Sequence, residues 1–323
     1  MQHMQSEMFS GWLDDLPVVQ ASQTVAVGWS GGADSTALLL ALKSAGYKVQ
    51  AWHVDHAWRA SSHDESELLA SRAEQWGIPF YSARLDEPTG RNMEAEARAG
   101  RYAEFARWGQ ELDVKTLCLG HHLDDQAETV YMRMLQGAGA AGCRGMHKER
   151  MAGELRLLRP LLHVQGETLK QVLREAGIKW LEDPSNSDSE MWRNRIRNRD
   201  FSAMLQAGYE PHKLFLRWKA QADRLADRLN VEAEKILEND LSHEQGVASL
   251  SWQVWHASSP PVRARVLQKM MCIVLGEGVT PGRRHIELVE VWTSKKARGG
   301  LDLSRCRLYR RQGRLHLQTA GTE

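Results

Sequence analysis

Short apolar segments alternate with longer amphipathic ones through the first 140 residues of the chain. The apolar segments predict strands at 24–28, 49–54, 79–83 and 116–119. The segments between them have the length of the crossover helices that parallel strands need, at 36–45, 64–76 and 92–108. Asn92 is predicted as the N-cap of the third helix. The alternation predicts an α/β domain built on a parallel sheet.

The pattern changes after a predicted helix at 124–136. A glycine-rich stretch at 137–145 predicts a flexible loop, and a strand at 155–162 with a helix at 167–176 is expected to complete the first domain. Helical patterns follow at 214–239 and 261–275, and short strands are predicted within 301–317, with a turn at Gln312-Gly313. We therefore predict a catalytic α/β domain over residues 1–212 and a smaller, mainly helical domain over 213–323 that ends in short strands.

Composition narrows the class of protein. Hydrophobic residues make up 42% and charged residues 26% of the 323, as in globular domains, and no apolar run approaches the roughly 20 residues of a membrane span. The N-terminal residues lack the basic start and apolar core of a secretory signal, so we expect a cytoplasmic protein without membrane contact. The four cysteines form no CxxC pair, so free thiols are expected at Cys118, Cys143, Cys272 and Cys306.

The net charge of +1 conceals an asymmetry along the chain. Residues 1–140 hold 11 Lys and Arg against 19 Asp and Glu, whereas the remainder holds 31 against 22. A basic second half suits a surface that binds a polyanion, because Lys and Arg neutralise phosphates and release condensed counterions. An ordinary solvated surface of uneven sign is the alternative.

The segment Ser30-Gly-Gly-Ala-Asp-Ser35 follows the first predicted strand and precedes an apolar helix. In that position the backbone N–H groups of the loop and of the helix N-terminus can converge on phosphate oxygens. Asp34 would repel phosphate unless a divalent cation lay between them, so it predicts Mg²⁺. The segment has no Walker lysine and matches the loop of enzymes that split ATP between its α- and β-phosphates. The alternative is a Gly-Gly turn in which Asp34 or Ser35 caps the helix.

Further candidate residues follow the second and fourth strands, at the edge where parallel sheets bind ligands. His53, Val54 and Asp55, with His56 and Arg59 beyond them, are expected to receive the base and ribose of the nucleotide. The fourth strand leads into Gly120-His-His-Leu-Asp-Asp-Gln-Ala-Glu-Thr129. His121, Asp125 and Glu128 form a face that could bind a cationic amine and deprotonate it. Favourable interaction of acidic residues with the helix dipole is the competing explanation.

Two arginine-containing segments are candidates for substrate binding. Arg98 lies one helical turn before Tyr102, and a structural salt bridge would explain that pair equally well. The segment 192–199 carries Arg193, Arg195, Arg197 and Arg199 beside Trp192, a combination suited to phosphate contacts and base stacking. A solvated charged face is the alternative there.

Taken in order, these motifs resemble the motif series of the tRNA(Ile)-lysidine synthases. The resemblance rests on SGGADS, HVDHAWR, NMEAEARAGRY, GHHLDDQAET, GAGAAGCRGM, LRPLL, EDPSNSD and RNRIR, between about residues 24 and 199. It extends more weakly to residues 213–323, which look like the family's C-terminal tRNA-binding domain. Residues 281–314 there hold ten Lys and Arg against three Asp and Glu, consistent with a surface that contacts phosphates. Two departures are Trp29, where a smaller residue is expected, and Phe201-Ser-Ala-Met after the arginines. The chain is also expected to be shorter than the longest members.

The resemblance implies a PP-loop (adenine nucleotide alpha hydrolase-like) fold and an activity. Such enzymes use ATP to adenylate C2 of the wobble cytidine of tRNA(Ile), and the amine of lysine then displaces AMP to give lysidine. It implies a catalytic set of Asp34, His121, Asp125, Glu128 and Arg195, with Asp34 as the ligand of Mg²⁺. It implies ATP binding by Ser30, Gly31, Gly32, Ala33, Asp34, Ser35, Thr36, His53, Val54 and Asp55. Substrate binding is implied for Arg98, Asp125, Glu128, Arg193, Arg195 and Arg197. The expected partners are tRNA(Ile), ATP and lysine, with a second copy of the chain as a further option.

Two other functions compete with this one. A PP-loop tRNA thiolase would share the adenylation step but needs a cysteine pair or an iron–sulfur motif, and here only Cys143 lies in a loop near the motifs. A non-catalytic nucleotide- or RNA-binding module would have no need of His121, Asp125 and Glu128.

Overall fold

The computed structural model describes residues 9, 11–14, 16, 23–55, 62–86, 93–182, 192–276, 278–295 and 299–320. The predictions for Asn92, His56 and Arg59, and residues 183–188 of the EDPSNSD motif, lie outside these residues. The chain divides into two compact units. The first comprises residues 1–132 and 145–217, and the second comprises residues 133–144 and 218–323.

A six-stranded sheet forms the centre of the first unit. Its strands are β1 (Thr24–Gly28), β2 (Lys48–Asp55), β3 (Phe80–Arg84), β4 (Thr116–Leu119), β5 (Glu149–Ala152) and β6 (Leu155–Leu158), in the order β3-β2-β1-β4-β6-β5. All neighbouring pairs are parallel except the β5–β6 hairpin. The predicted parallel α/β sheet is confirmed. The strand predicted at 155–162 ends at Leu158, before Pro160, and its partner β5 was not predicted.

The helices that connect these strands are α1 (Ala33–Ser44), α2 (Ser62–Gln75), α3 (Met93–Glu111) and α4 (Leu123–Leu135), and α5 (Gly166–Glu175) follows β6. Successive residues of β1 face opposite sides of the sheet, as expected of a strand. Val25 and Val27 pack into the core that includes α1 and α5, whereas Ala26 packs with Phe105 and Trp108 of α3. Each face of the sheet is therefore covered by helix, which explains why β1 and β4 are apolar throughout.

Trp29, which departs from the expected small residue, belongs to this core. Its side chain is 1% exposed, and its ring lies 5.7 Å from Trp76 and 6.0 Å from Phe80. Its indole Nε1 donates to Thr36 Oγ1 at 3.0 Å. The bulk of Trp29 is thus accommodated within the core.

The arginine-rich segment is helical throughout. It consists of α6 (Trp192–Arg195), a π-helical turn over Ile196–Phe201 and α7 (Ser202–Gln206). The long helix α8 (Pro211–Asp240) follows, and it runs through both the predicted boundary at 212 and the division after residue 217.

The second unit contains a five-stranded antiparallel sheet with helices packed on it. The strands β7 (Ser242–Glu244), β8 (Val247–Ser251), β9 (Gly300–Leu303), β10 (Cys306–Arg311) and β11 (Arg314–Thr319) are ordered β7-β8-β11-β10-β9. The helices are α9 (Trp252–Ala257), α10 (Pro260–Leu275) and α11 (Arg283–Ser294), together with most of α8. The predicted helices and terminal strands are confirmed, but β7 and β8 were not predicted. The glycine-rich loop holds a short 3₁₀ turn, Gly142–Arg144.

Within the described part of the chain, no helix is both long enough and apolar enough to span a bilayer.

Candidate active site

A pocket of about 390 Å³ opens at the carboxyl ends of β1, β2 and β4. Open parallel sheets bind their ligands at this edge. Its lining includes many of the predicted site residues: Ser30, Gly32, Asp34, Ser35, His53, Val54, Asp55, His121 and Asp125. Residues that were not predicted also line it, among them Glu65, Arg101, Phe105, Leu181 and Glu182.

The loop after β1 is held in shape by its own hydrogen bonds. The backbone N–H of Ser30 donates to Ser35 Oγ at 3.2 Å, and that hydroxyl donates to Gly32 O at 3.2 Å. Gly31 has a φ of +81°, and a Cβ there would lie 2.6 Å from the side chain of Leu181. The positive φ favours glycine, and a larger residue would also press on Leu181, so Gly31 suits the shape of this loop.

The neighbouring strand approaches this loop closely. A Cβ on Gly120, the residue after β4, would lie 2.9 Å from the backbone nitrogen of Ser35. Glycine therefore lets the end of β4 contact the first turn of α1. Thr36 is fully buried, where it accepts the Trp29 hydrogen bond and donates to Gly31 O. Its part is to support the loop from behind, because it does not line the pocket.

The carboxylate of Asp34 is partly exposed, but one of its two oxygens is buried. Its side chain is 38% exposed, yet its Oδ1 is buried without a hydrogen-bond partner among the described residues. The other carboxylate oxygen lies 3.6 Å from His122 Nε2. Burial raises the pKa of Asp34, and His122 opposes that rise. A cation beside Oδ1 would satisfy this carboxylate.

The donor set is that of a metal held partly by substrate. No group of three or more His, Cys, Asp or Glu residues suited to a metal occurs in the described part of the chain. Mg²⁺ commonly binds through one or two carboxylates together with substrate phosphates and water. Asp34 beside a phosphate-binding loop fits that mode of binding.

His53 has its hydrogen-bonding pattern set by the backbone. Its Nδ1 lies 3.0 Å from the carbonyl oxygen of Trp29, which can only accept, so Nδ1 carries the proton. Burial lowers the pKa of His53, which keeps the ring neutral and Nε2 free as an acceptor. The side chain offers an acceptor for an N–H or O–H group of a ligand.

The first turn of α4 is capped by its own acidic residue. The backbone N–H of His122 donates to Asp125 Oδ2 at 3.0 Å, and that of Asp124 donates to His122 Nδ1 at 3.2 Å, which resembles a capping box. Burial by itself would raise the pKa of Asp125. The side chain of His122 and the hydrogen bond from its backbone N–H have the opposite effect, and the pKa of Asp125 is lowered. Asp124 instead accepts from the N–H of Gly166 at 3.0 Å and does not line the pocket. Asp125 is therefore the one of the two aspartates that a ligand can reach.

Glu128 lies one turn further along α4 and is almost fully enclosed. Its side chain is 1% exposed, and Oε1 accepts from Arg197 Nε at 2.7 Å. Oε2 is buried without a partner among the described residues, and burial raises the pKa of Glu128 while Arg197 opposes that rise. Arg197 also lies 3.8 Å from Asp125. Glu128 is thus linked to the pocket through Arg197 and Asp125 rather than by lining it.

The other predicted arginines lie around the pocket rather than in it. Arg193 reaches Thr129 Oγ1 at 3.5 Å, and Arg195 is exposed and does not line the pocket. The guanidinium of Arg98 lies 5.0 Å from the ring centre of Tyr102, which does line it. The catalytic role of Arg195 and the substrate contacts of Arg98 and Arg193 stay predictions.

A buried arginine that was not predicted also contacts the site. Arg159 is 5% exposed and donates from Nε to His121 Nδ1 at 3.2 Å. It belongs to the LRPLL segment, which contributed to the resemblance without any assigned role. An arginine directly after an apolar strand was the available signal.

A self-supported Ser-Gly-Gly-Ala-Asp-Ser loop on a parallel sheet, with no Walker lysine, defines a nucleotide-binding protein of the PP-loop class. The PP-loop domain family matches residues 3–203. Similar proteins include the tRNA(Ile)-lysidine synthase of Polaromonas naphthalenivorans, which is 32% identical over 83% of this chain and 80% of its own length. The chain belongs to the tRNA(Ile)-lysidine synthase family.

Other relatives match over a smaller share of their length. The tRNA(Ile)-lysidine synthase of Chlamydia pneumoniae is 38% identical over 53% of this chain and 54% of its own length. That of Pseudomonas syringae pv. tomato is 35% identical over 72% of this chain and 52% of its own length. The aligned part of the chain thus spans about half of these two relatives.

A solved structure supports the fold independently. The U34-tRNA thiolase of Methanococcus maripaludis, determined with its iron–sulfur cluster, aligns with a TM-score of 0.51 at 19% identity. The alignment covers 68% of this chain and 78% of that one. At this identity the likeness bears on the fold alone.

Proposed function

We propose that this chain is a ligase that joins lysine to C2 of the wobble cytidine of tRNA(Ile) with a CAU anticodon. The reaction consumes ATP and gives lysidine, AMP and pyrophosphate. The observation that carries the proposal is found in the first unit, where a phosphate loop shaped by its own hydrogen bonds is paired with the carboxylates of Asp34 and Glu128. Each carboxylate has one buried oxygen without a hydrogen-bond partner among the described residues. Such a site requires cationic ligands beside a nucleotide.

The ATP half of the proposal rests on the β1 and β2 ends. The phosphates lie against the N–H groups of the loop and of the first turn of α1, where the helix dipole also favours anions. Asp34 would hold Mg²⁺ beside the phosphates, where the ion would supply stabilisation of negative charge on the pyrophosphate leaving group. His53 Nε2 accepts a hydrogen bond from the adenosine, and its pocket neighbours Val54 and Asp55 enclose the ribose or base.

The lysine half rests on α4. The side-chain ammonium needs an acceptor, and Glu128 Oε2 is a buried acceptor without a partner among the described residues. Asp125, whose pKa is lowered, remains ionised and adds a second negative charge toward the pocket. The two carboxylates bind the ammonium and accept the proton that it loses.

The chemistry then runs in two steps. The C2 oxygen of cytidine attacks the α-phosphorus of ATP, the bond between the α- and β-phosphates breaks, and pyrophosphate leaves. The ammonium of lysine gives up a proton, its nitrogen bonds to C2, and the C2–O bond breaks with its electron pair on AMP. The arginines of the segment 192–199 contribute phosphate contacts to the tRNA.

Sulfur transfer is disfavoured by the cysteines. Cys118 is fully buried in β4, and burial raises the pKa of its thiol to about 12. Burial also raises the pKa of Cys143, so neither thiol is activated as a nucleophile. We further propose that the protein acts in the cytoplasm, where its tRNA substrate is found. A homodimer stays a prediction.

The adenylation step can be tested by itself. ATP labelled at the α-phosphorus is mixed with protein and a tRNA(Ile) transcript in the absence of lysine. We expect label to remain on the RNA, and added lysine to release it as AMP. A transcript with uridine at the wobble position is the matched control and should stay unlabelled. Label that never enters the cytidine transcript would contradict the proposal.

A further inference from the structure

Arg159, directly after β6, holds His121 by a fixed hydrogen bond. The guanidinium is almost fully buried and donates from Nε to His121 Nδ1 at 3.2 Å. A second donor, Nη1, is held by the carbonyl oxygen of His147 at 2.8 Å. Because His121 and His147, on different segments, accept from two nitrogens of the same guanidinium, Arg159 has little freedom to release His121.

The direction of this bond is determined by chemistry. A guanidinium has N–H groups and no acceptor, so His121 Nδ1 must receive the bond through its lone pair. In a neutral imidazole with unprotonated Nδ1, the proton is on Nε2. His53, at the other side of the same pocket, has the opposite arrangement because a carbonyl oxygen faces its Nδ1.

His121 also resists becoming charged. Burial lowers the pKa of His121 to about 3, and Arg159, Arg193 and Arg101 add to this, while Asp125 opposes it. The ring is therefore neutral at physiological pH, with its single proton on the nitrogen that Arg159 does not contact. A neutral imidazole held in this way can donate from Nε2 but has no free lone pair with which to remove a proton.

We propose that Arg159 is a positioning residue that fixes the Nε2–H tautomer of His121, so that His121 donates a hydrogen bond to an oxygen of the adenylate and does not act as the base. This inference rests on the proposed function. It revises the expectation that imidazole deprotonates lysine, and it leaves that task to Asp125 and Glu128. A donor aimed at the C2–O–P group would stabilise the charge that develops on AMP as the C2–O bond breaks.

Substitution of His121 separates a donor from a base. Glutamine can supply an N–H near the position of Nε2, whereas alanine supplies neither donor nor base. The readout is the single-turnover rate at which lysine releases AMP from preformed adenylated tRNA. We expect His121→Gln to remain within about tenfold of wild type and His121→Ala to fall about 10²- to 10³-fold, the usual cost of a lost donor. A glutamine variant as slow as the alanine variant would overturn the donor role.

The tautomer itself can be read without turnover. Two-bond ¹H–¹⁵N correlation spectra of ¹⁵N-histidine-labelled protein are assigned by comparison with His121→Gln. We expect a protonated Nε2 and an unprotonated Nδ1 for His121 from pH 6 to 8. A protonated Nδ1 in the wild type would overturn the inference, and because neither ATP nor tRNA is present, this outcome is distinct from failure of the proposed reaction.

The role of Arg159 is tested by Arg159→Met against Arg156→Met. Arg156 lies on β6 and pairs with Glu149 at 2.7 Å, so the control makes the same chemical change away from His121. We expect Arg159→Met to populate the Nδ1–H form of His121. The imidazole should then protonate at a higher pH, so the rate should begin to fall at a higher pH on the acid side of the pH–rate profile. The effect on kcat should be larger than the effect on the KM for lysine. Arg156→Met should leave the spectrum and profile unchanged. A folded Arg159→Met protein with the wild-type His121 spectrum would contradict the inference.

Discussion

The loop after β1 and the first two turns of α4 each carry a carboxylate with one oxygen that no described residue hydrogen-bonds, but the two carboxylates differ in access. Asp34 is 38% exposed toward the pocket, whereas Glu128 is 1% exposed and already bonded to Arg197. An open carboxylate beside phosphate-binding N–H groups suits a hydrated divalent ion, which keeps several waters. An enclosed carboxylate such as Glu128, of which only Oε2 lacks a hydrogen bond among the described residues, suits an ammonium. Asp34 lines the pocket, whereas Glu128 is linked to it only through Arg197 and Asp125, so the two carboxylates suit cations of different kinds.

Removing the carboxylate of Asp34 should have the largest effect. We expect Asp34→Ala to lower the rate of tRNA adenylation by at least about a thousandfold, because a metal contributes several kcal/mol to the transition state of phosphoryl transfer. Pyrophosphate release measures the rate. Asp113→Asn is the matched control, since the Asp113 side chain is 88% exposed and Asp113 lies far along the chain from the loop at 30–35. A folded Asp34→Ala protein with near-wild-type release would refute the metal role.

Glu128→Gln should affect the use of lysine rather than that of ATP. We expect the KM for lysine to rise roughly ten- to hundredfold with little change in the KM for ATP, because a charge-assisted hydrogen bond is worth about 1.5–3 kcal/mol. The control is Glu104→Gln, which also removes a carboxylate paired with an arginine, Arg107, at 2.7 Å. If the KM for ATP rises and that for lysine is unchanged, Glu128 belongs to the nucleotide half.

Gly120→Ala tests the contact that joins the two regions. The added Cβ meets the backbone of Ser35, which cannot move aside as a side chain could, so we expect a loss of roughly 1–3 kcal/mol in unfolding free energy. Denaturant unfolding gives the value. Gly139→Ala is the control, because a Cβ there has no atom within 4 Å. Equal stability of the two variants would mean that the β4 end does not press on the loop.

The arginines of the segment 192–199 should separate into two groups. Arg193→Ala with Arg195→Ala is expected to weaken tRNA binding and to reduce the slope of log K against log salt by about 1.4, using the single-strand coefficient of roughly 0.7 per contact. Arg197→Ala should instead act on lysine, as Glu128→Gln does, because its guanidinium is bonded to Glu128. Filter binding of tRNA over a salt series measures the slope, and the KM for lysine measures the effect of Arg197→Ala. An unchanged slope in the double variant would direct the search for RNA contacts to Arg283–Arg314.

The smallest effect concerns stability and pH. The pKa of Asp34 is raised on folding, so the folded state holds its proton more tightly than the unfolded chain and loses stability as pH rises through that interval. An uncharged asparagine avoids this loss. We expect Asp34→Asn to melt at or above the wild-type temperature near pH 7 without ligand, and to lose the increment that Mg²⁺ and ATP give the wild type. A clear drop in melting temperature without ligand would contradict the raised pKa.

Much of the fold and of the pocket could be predicted because local patterns report on them. The apolar segments and crossover lengths predict β1 to β4, and the loop motif places Ser30, Asp34 and Ser35 at a strand end. The hairpin strand β5 was missed because its residues are almost entirely exposed and carry no alternating pattern. Strands β7 and β8 were missed because they are short and directly follow the long helix α8, whose helical periodicity dominates this part of the sequence.

The rest of the site depends on contacts between distant segments. The pairing of Arg197 with Glu128 joins residues 69 positions apart, and the bond from Arg159 to His121 spans 38. Nothing in the spacing of the motifs indicates that one arginine of an exposed basic segment turns inward. The same limit applies to Asp124 and Asp125, because Asp124 accepts from the distant Gly166 whereas Asp125 lines the pocket.

The most direct test of the account is transfer of labelled lysine to RNA. Protein, ATP, Mg²⁺, radiolabelled lysine and a tRNA(Ile) transcript with a CAU anticodon are incubated together, beside the same transcript with uridine at the wobble position. We expect acid-stable label in the cytidine transcript alone, with one AMP formed for each lysine incorporated. AMP formation without label in the RNA, or equal labelling of both transcripts, would contradict it.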